Sequence, residues 1–193
     1  MAKLLTHEKK EQIKKLIFEK ADSFGYSFCA RNDSGIFMDG LVDDPDIGGS
    51  LKEYMTKEKI RTYIKDSVLN AYSKKLTKKI LDTVSATETV RQIYSVKSSV
   101  IQVRNGKNTG VSVLHSDDGR IFVISCGTIL KWETALRKAL ELIARQPSMI
   151  VNNATPSICL HLAIVGVDIT DTEKKHIITA LDSISVKVRF CSG

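Results

Sequence analysis

The sequence predicts an α/β (α+β) fold: a mixed central sheet built on an antiparallel three-strand meander, with helices on both faces and a mainly helical N-terminal extension. Three observations carry this. Ser98 to Gln146 reads as three short strands followed at once by an amphipathic helix. Two further strand segments, Ile158 to Val167 and Val186 to Cys191, are separated by a helix with its own capping signal. Between His7 and Ile80, apolar residues recur mostly at helical spacing.

The chain's 193 residues, 42% hydrophobic and 26% charged, are enough for one substantial core carrying an extension, and the three prolines argue against long unstructured linkers. The expected division is 1–84, helical with a small hairpin, and 85–193, mixed α/β. Met1 to Lys20 is charged and lacks a signal-peptide core, and the longest apolar run, Ile158 to Val167, is interrupted by His161 and too short for a bilayer. No membrane partner and a cytoplasmic location are the expectation. Cys29, Cys126, Cys159 and Cys191 form no CxxC pair, which favours buried free thiols over disulfides or zinc.

The net charge of +7 favours an anionic partner. Much of it is local. Lys57, Lys59, Arg61, Lys65, Lys74, Lys75, Lys78 and Lys79 face only Glu58 and Asp66 over the same stretch. Lys74, Lys75, Lys78 and Lys79 are the candidate nucleic-acid contacts, although no aromatic residue is interleaved to stack on bases.

In order, Thr6 caps a helix over His7 to Phe24 with Ile13, Leu16, Ile17, Ala21 and Phe24 on one stripe, and Gly25 ends it. Tyr26 to Arg31 and Ile36 to Asp39 flank Asn32, Asp33, Ser34 and Gly35, which reads as a hairpin. Gly40 to Ser50 reads as a solvated loop, because Asp43, Asp44 and Asp46 do not have the spacing of a calcium loop. Thr56 caps a long helix in which Ile60, Ile64, Val68, Tyr72, Leu76 and Ile80 recur every fourth residue, with a break expected near Ser73 or Thr77. Ser85-Ala86-Thr87-Glu88 is a capping box opening a short helix to Tyr94.

The meander strands are Ser98 to Arg104, Thr109 to His115 and Arg120 to Cys126, joined by turn residues short enough to force antiparallel pairing. Continuous apolarity from Ile121 to Ile124 makes the third strand central and covered on both faces. Trp132, Ala135, Leu136, Ala139, Leu140 and Ile143 then mark a helix ending before Pro147, and Thr170-Asp171-Thr172-Glu173 opens another to about Ile184. The helix crossover between the third and fourth strands makes that pair suitable for parallel neighbours.

From Ser85 to Cys191 this order, with a meander whose third strand runs into a helix, resembles the core of the PD-(D/E)XK nuclease superfamily of restriction enzymes and resolvases. The resemblance implies a magnesium-dependent endonuclease acting on DNA in restriction or defence, with an Asp at the start of the second strand and an acid-x-Lys on the third. In this chain the first position falls at Asn108 to Ser112 and the pair falls at Ser125-Cys126-Gly127. None of the three expected charges is present at Asn108, Ser112, Ser125 or Gly127, and neutral hydroxyls hold magnesium poorly.

A displaced site would use Lys131 and Glu133 on the following helix, with Glu88 on the preceding one; Arg137 and Lys138 share that helix, and Glu133 and Arg137 have the spacing of a surface ion pair. Asp117 and Asp118 sit before Gly119 in a tight turn, and His115 at a strand end on the surface. There is no GxSxG, HExxH or P-loop. Two functional classes follow: a nucleic-acid-directed protein with a nuclease-like core, or a non-catalytic module that docks a protein partner.

Overall fold

The computed structural model describes residues 4–26, 29, 31–83, 85–97, 100–103, 110–145 and 155–192, with backbone alone for Arg31 and 101–103. Two compact units are present, Met1–Leu76 with Val165–Asp168, and Thr77–Ile164 with Ile169–Gly193, so the division falls inside one helix.

In the first unit, α1 (His7–Phe24) begins where the Thr6 side chain accepts from the Lys9 N–H and stops at Gly25, whose φ of 69° suits a residue without a Cβ. Its buried stripe is Ile13, Ile17 and Ala21. The expected hairpin does not form at its turn and second arm, Asn32 to Asp39, which are helical, and Ser27, Phe28 and Ala30 of its first arm lie outside the described residues. Arg31–Asp43 forms helix α2, which buries Leu41 and Val42 in the cluster containing the α1 stripe, while Phe37 stacks on Phe24 with ring centroids 4.6 Å apart. An isolated two-stranded hairpin is marginal in water, whereas a helix packed on a helix buries a whole face, so packing overrides the turn signal of Asn32 to Gly35.

The expected loop Gly40 to Ser50 is also ordered. Asp44 accepts from the Asp46 and Ile47 N–H groups at 2.9 and 3.1 Å and caps a π-helical turn, Pro45–Gly49, that buries Ile47. Helix α3 (Lys57–Thr62) runs through a π-helical segment, Tyr63–Leu69, into α4 (Asn70–Asp82). The irregularity lies at residues 63–69 and not at Ser73 or Thr77. Its position has a geometric cause. A strict four-residue repeat overshoots a 3.6-residue turn by roughly 40° at each step, and a wider turn takes up that drift and keeps Ile60, Ile64, Val68 and Tyr72 in one core.

In the second unit, Ser85 caps α5 (Ala86–Tyr94) by accepting from the Glu88 N–H, but Glu88 accepts from Gln92 at 2.8 Å and does not close the box. A five-stranded sheet follows in spatial order β1 (Val100–Val103), β2 (Val111–Ser116), β3 (Ile121–Thr128), β4 (Ser157–Ala163), β5 (Val186–Cys191). The β1–β2 and β2–β3 pairs are antiparallel, and β3–β4 and β4–β5 are parallel. This is the mixed sheet with a meander that the sequence predicts. The sequence-based ends of the first strand at Ser98 and Arg104, and the turn Gly106-Lys107-Asn108, lie outside the described residues. Strand β4 ends at Ala163, four residues before Val167.

Residues Ile121 to Ser125 of β3 are buried in succession, as expected of a central strand. Val113, Ile121, Val123, Leu160, Leu162 and Val186 pack with Ala135 and Ala139 of α6 (Trp132–Arg145) and Leu181 of α7 (Asp171–Asp182). Leu114, Phe122, Ile124 and Cys159 pack on the opposite face with Val90 of α5 and Val96. The two helices that close the parallel crossovers thus share one face, and α5 covers the other. Helix α7 starts on a complete Thr170–Glu173 capping box. No helix of the described residues is long and apolar enough to cross a membrane.

Candidate functional site

Alternation along β3 puts Ile121, Val123, Ser125 and Gly127 on the face that packs against α6. Ser125 is fully buried and its Oγ has no hydrogen-bond partner. A Cβ at Gly127 would stand 3.1 Å from the Ala135 Cβ, 3.8 Å from Leu162 Cδ2 and 3.9 Å from the Lys131 carbonyl oxygen. The two family positions on β3 therefore do more than lack charge. Helix α6 occupies the space in which a carboxylate and an ammonium would stand, and a hard cation would meet aliphatic side chains there. Ser112 lies opposite Ile124 on β2, and Asn108 lies outside the described residues.

The displaced arrangement does not assemble either. Lys131 and Glu133 are exposed where β3 passes into α6, whereas Glu88 is on α5, in the layer on the opposite face. Arg137 pairs with Glu141 at 3.8 Å and not with Glu133. Among the described residues no group of three or more His, Cys, Asp or Glu is placed to hold a metal ion.

Several further acids have structural roles. Asp118 accepts from Arg120 Nε and Nη2 at 2.9 and 2.6 Å, and from the Ser116 hydroxyl. These bonds hold its carboxyl well below the usual carboxylate range and fix the β2–β3 turn, where Gly119 has φ 82°. Asp43 accepts from Lys57 at 2.9 Å, Asp44 pairs with Lys20 at 2.9 Å, and Arg61 pairs with Asp39. His115 is exposed on β2.

The lysines of α4 are a separate case. Lys74, Lys75, Lys78 and Lys79 are exposed on α4, and at about 100° per residue they fall within an arc of roughly 140°. Tyr72, Leu76 and Ile80 turn the other way, into apolar contacts or burial. None of the four lysines makes an ion pair among the described residues; Lys75 Nζ stands 5.8 Å from the Phe18 ring centroid. No family model, curated protein or solved structure matches this chain.

A second polar group, not singled out by its spacing in the sequence, lies on the α5 side of the sheet. Cys126, His161 and Arg189 are lateral neighbours on β3, β4 and β5, and His161 Nε2 is 2.6 Å from Cys191 Sγ. The four cysteines are free thiols, with Cys159 and Cys191 buried and Cys29 and Cys126 partly so. Burial first, then the charge of Arg189, lowers the His161 pKa. In the sequence only the interruption of an apolar strand by His161, and the alternation of Lys187, Arg189 and Cys191 with Val186, Val188 and Phe190, marked this face.

Burial is also the main cause that pushes the Cys126 and Cys159 thiols up to about 11 and about 12, from an ordinary 9.0. Folding thus favours their protonated forms. That stabilisation is complete below pH 9 and is lost as pH rises from 9 to 12, at about 1.4 kcal/mol per thiol per pH unit. Melting temperatures measured between pH 8 and 11 are expected to fall less steeply for Cys126→Ala/Cys159→Ala than for the native chain. Parallel slopes would contradict the assignment.

Proposed function

We propose that the protein binds nucleic acid through the lysine face of α4, and that its nuclease-like α/β core serves as a scaffold with no metal-dependent chemistry at the family positions. The observation that carries this reading is the set of four exposed lysines on one helical arc with no ion-pair partner among the described residues. Lysines that face a phosphate backbone release condensed counterions on binding, which gives sequence-independent affinity with a steep salt dependence. Without aromatic side chains among them, the four lysines grip the backbone and leave the bases unread. The element order from α5 to β5 supports the nuclease resemblance, and the close approach of α6 at Gly127 argues against a cutting centre there.

The alternative, a module that docks a protein partner, draws on the exposed Leu130, Leu140, Ile178 and Ile184 around α6 and α7. Single exposed aliphatic side chains are ordinary on a folded surface, so they favour it little. The test is duplex DNA binding by the full chain as a function of salt. Replacing Lys74, Lys75, Lys78 and Lys79 together by Gln is expected to make the slope of log K against log salt shallower by about 3.6, if each lysine neutralises one phosphate. No retention of DNA at low salt, or an unchanged slope in the fourfold variant, would overturn the reading.

A further inference from the structure

The carboxyl ends of the three parallel strands β3, β4 and β5 lie together, and on the α5 side they carry Cys126, His161, Arg189 and Cys191. Arg189 is half-buried; its Nη1 is fully buried and has no hydrogen-bond partner. Among the described residues no carboxylate pairs with it. The sulfur of Cys191 lies beside the guanidinium, and a thiol is a weak acceptor that burial holds in its neutral form against the pull of Arg189. Among the ionisable neighbours on the same face, His161, Cys126 and Cys159 are likewise held neutral by burial, while the Asp82 carboxylate acts on Cys126 from the end of α4.

A guanidinium cannot shed its proton to escape burial, and a buried cation with an orphaned donor calls for an anion. Within an open parallel array, the crevice outside the strands' carboxyl ends is where ligands commonly sit. We infer that Arg189, with His161 and Cys191 beside it, forms a binding site for a small tetrahedral oxyanion of the phosphate class. The guanidinium fork supplies charge-assisted hydrogen bonds. Neutral His161 and Cys191 close the wall without competing for the anion's charge. It shares no residue with the lysine face of α4.

The experiment titrates the full chain with inorganic phosphate at constant ionic strength, with chloride as the replaced anion. Two signals are followed, the imidazole resonances of His161 and the peptide-resolved rate at which Cys191 reacts with a thiol reagent. A saturable His161 shift is expected, with Cys191 labelling slowed about 10-fold at a phosphate concentration ten times Kd. Both effects are expected to vanish in Arg189→Gln and to persist in the fourfold α4 lysine variant, which separates this site from the nucleic-acid reading. Should Arg189→Gln fail to fold, Arg189→Lys serves, since it keeps the charge and loses the planar fork. It is expected to weaken phosphate by about tenfold, the equivalent of one charge-assisted hydrogen bond. A His161 shift that stays linear in phosphate, equal effects in Arg189→Gln, or unchanged affinity in Arg189→Lys would overturn the inference.

Discussion

Introducing an acid and a lysine where the nuclease resemblance calls for them on β3, as Ser125→Asp with Gly127→Lys, is expected to unfold or nearly unfold the α/β unit and to yield no magnesium-dependent cleavage. Ser125 is fully buried against the α6 layer, so an aspartate there loses its hydration, and the only cation introduced with it is a lysine whose own stem has no room beside Ala135. An uncompensated buried charge costs about 3 to 5 kcal/mol. At Gly127 the first side-chain atom already meets Ala135 at 3.1 Å, and a lysine stem would have to push α6 from the sheet. Overpacking of that kind costs about 1 to 3 kcal/mol more. The sum is comparable to the whole stability of many domains, about 5 to 15 kcal/mol. Urea unfolding and a plasmid nicking assay with magnesium check both halves. A near-native midpoint together with nicking would mean that α6 yields readily and that the scaffold still accepts a catalytic metal.

Gly48→Ala is expected to have the largest effect of any single methyl addition at the described glycines. A Cβ at Gly48 would collide with the backbone carbonyl of Val42, which is the buried end of α2 and cannot turn aside as a flexible side chain can. The close approach lets the π-helical turn Pro45–Gly49 fold back so that Ile47 enters the core with Leu41, Val42 and Leu51. Opening that turn sacrifices the burial of Ile47, so a loss of about 2 to 5 kcal/mol is expected, in the range of a large-to-small core substitution. Gly40→Ala is the control, because its Cβ would meet nothing within 4 Å. Removing a helical glycine there should stabilise by up to about 1 kcal/mol. Thermal melting of the two variants side by side decides it; equal melting temperatures would show that the α2 end is soft.

Much of the sheet half was legible because its signals are local and agree with one another. Ile121 to Ile124 are apolar in succession, which only a strand covered on both faces tolerates, and β3 is that strand. Thr170 and Glu173 cap α7 with bonds spanning three residues, and β5 begins and ends at Val186 and Cys191 as read. Helix α1 needed only Thr6, its apolar stripe and Gly25.

Errors arose where the deciding contact is made only by the folded backbone or by another element. Asn32 to Gly35 carries turn chemistry, yet Leu41 and Val42 gain more by packing as a helix, and nothing within Tyr26 to Asp39 reveals that competition. Gly48 looked like loop glycine because the Val42 carbonyl it approaches is visible only in three dimensions.

The candidate sites divide in the same way. The four lysines of α4 are exposed and periodic on one element, so sequence alone placed them on a common face. That Glu88 and Glu133 belong to opposite layers, and that α6 closes the space at Gly127, follow from the order in which strands and helices stack. Arg189 reads as one more surface cation until β4 sets His161 beside it and burial removes the water that would have solvated its Nη1. The sequence by itself determined the elements, the mixed sheet and the surplus of positive charge, since each is written in neighbouring residues. Which charges are solvated, which are paired and which are stranded was decided only by the tertiary structure, because burial is a property of the whole packed chain.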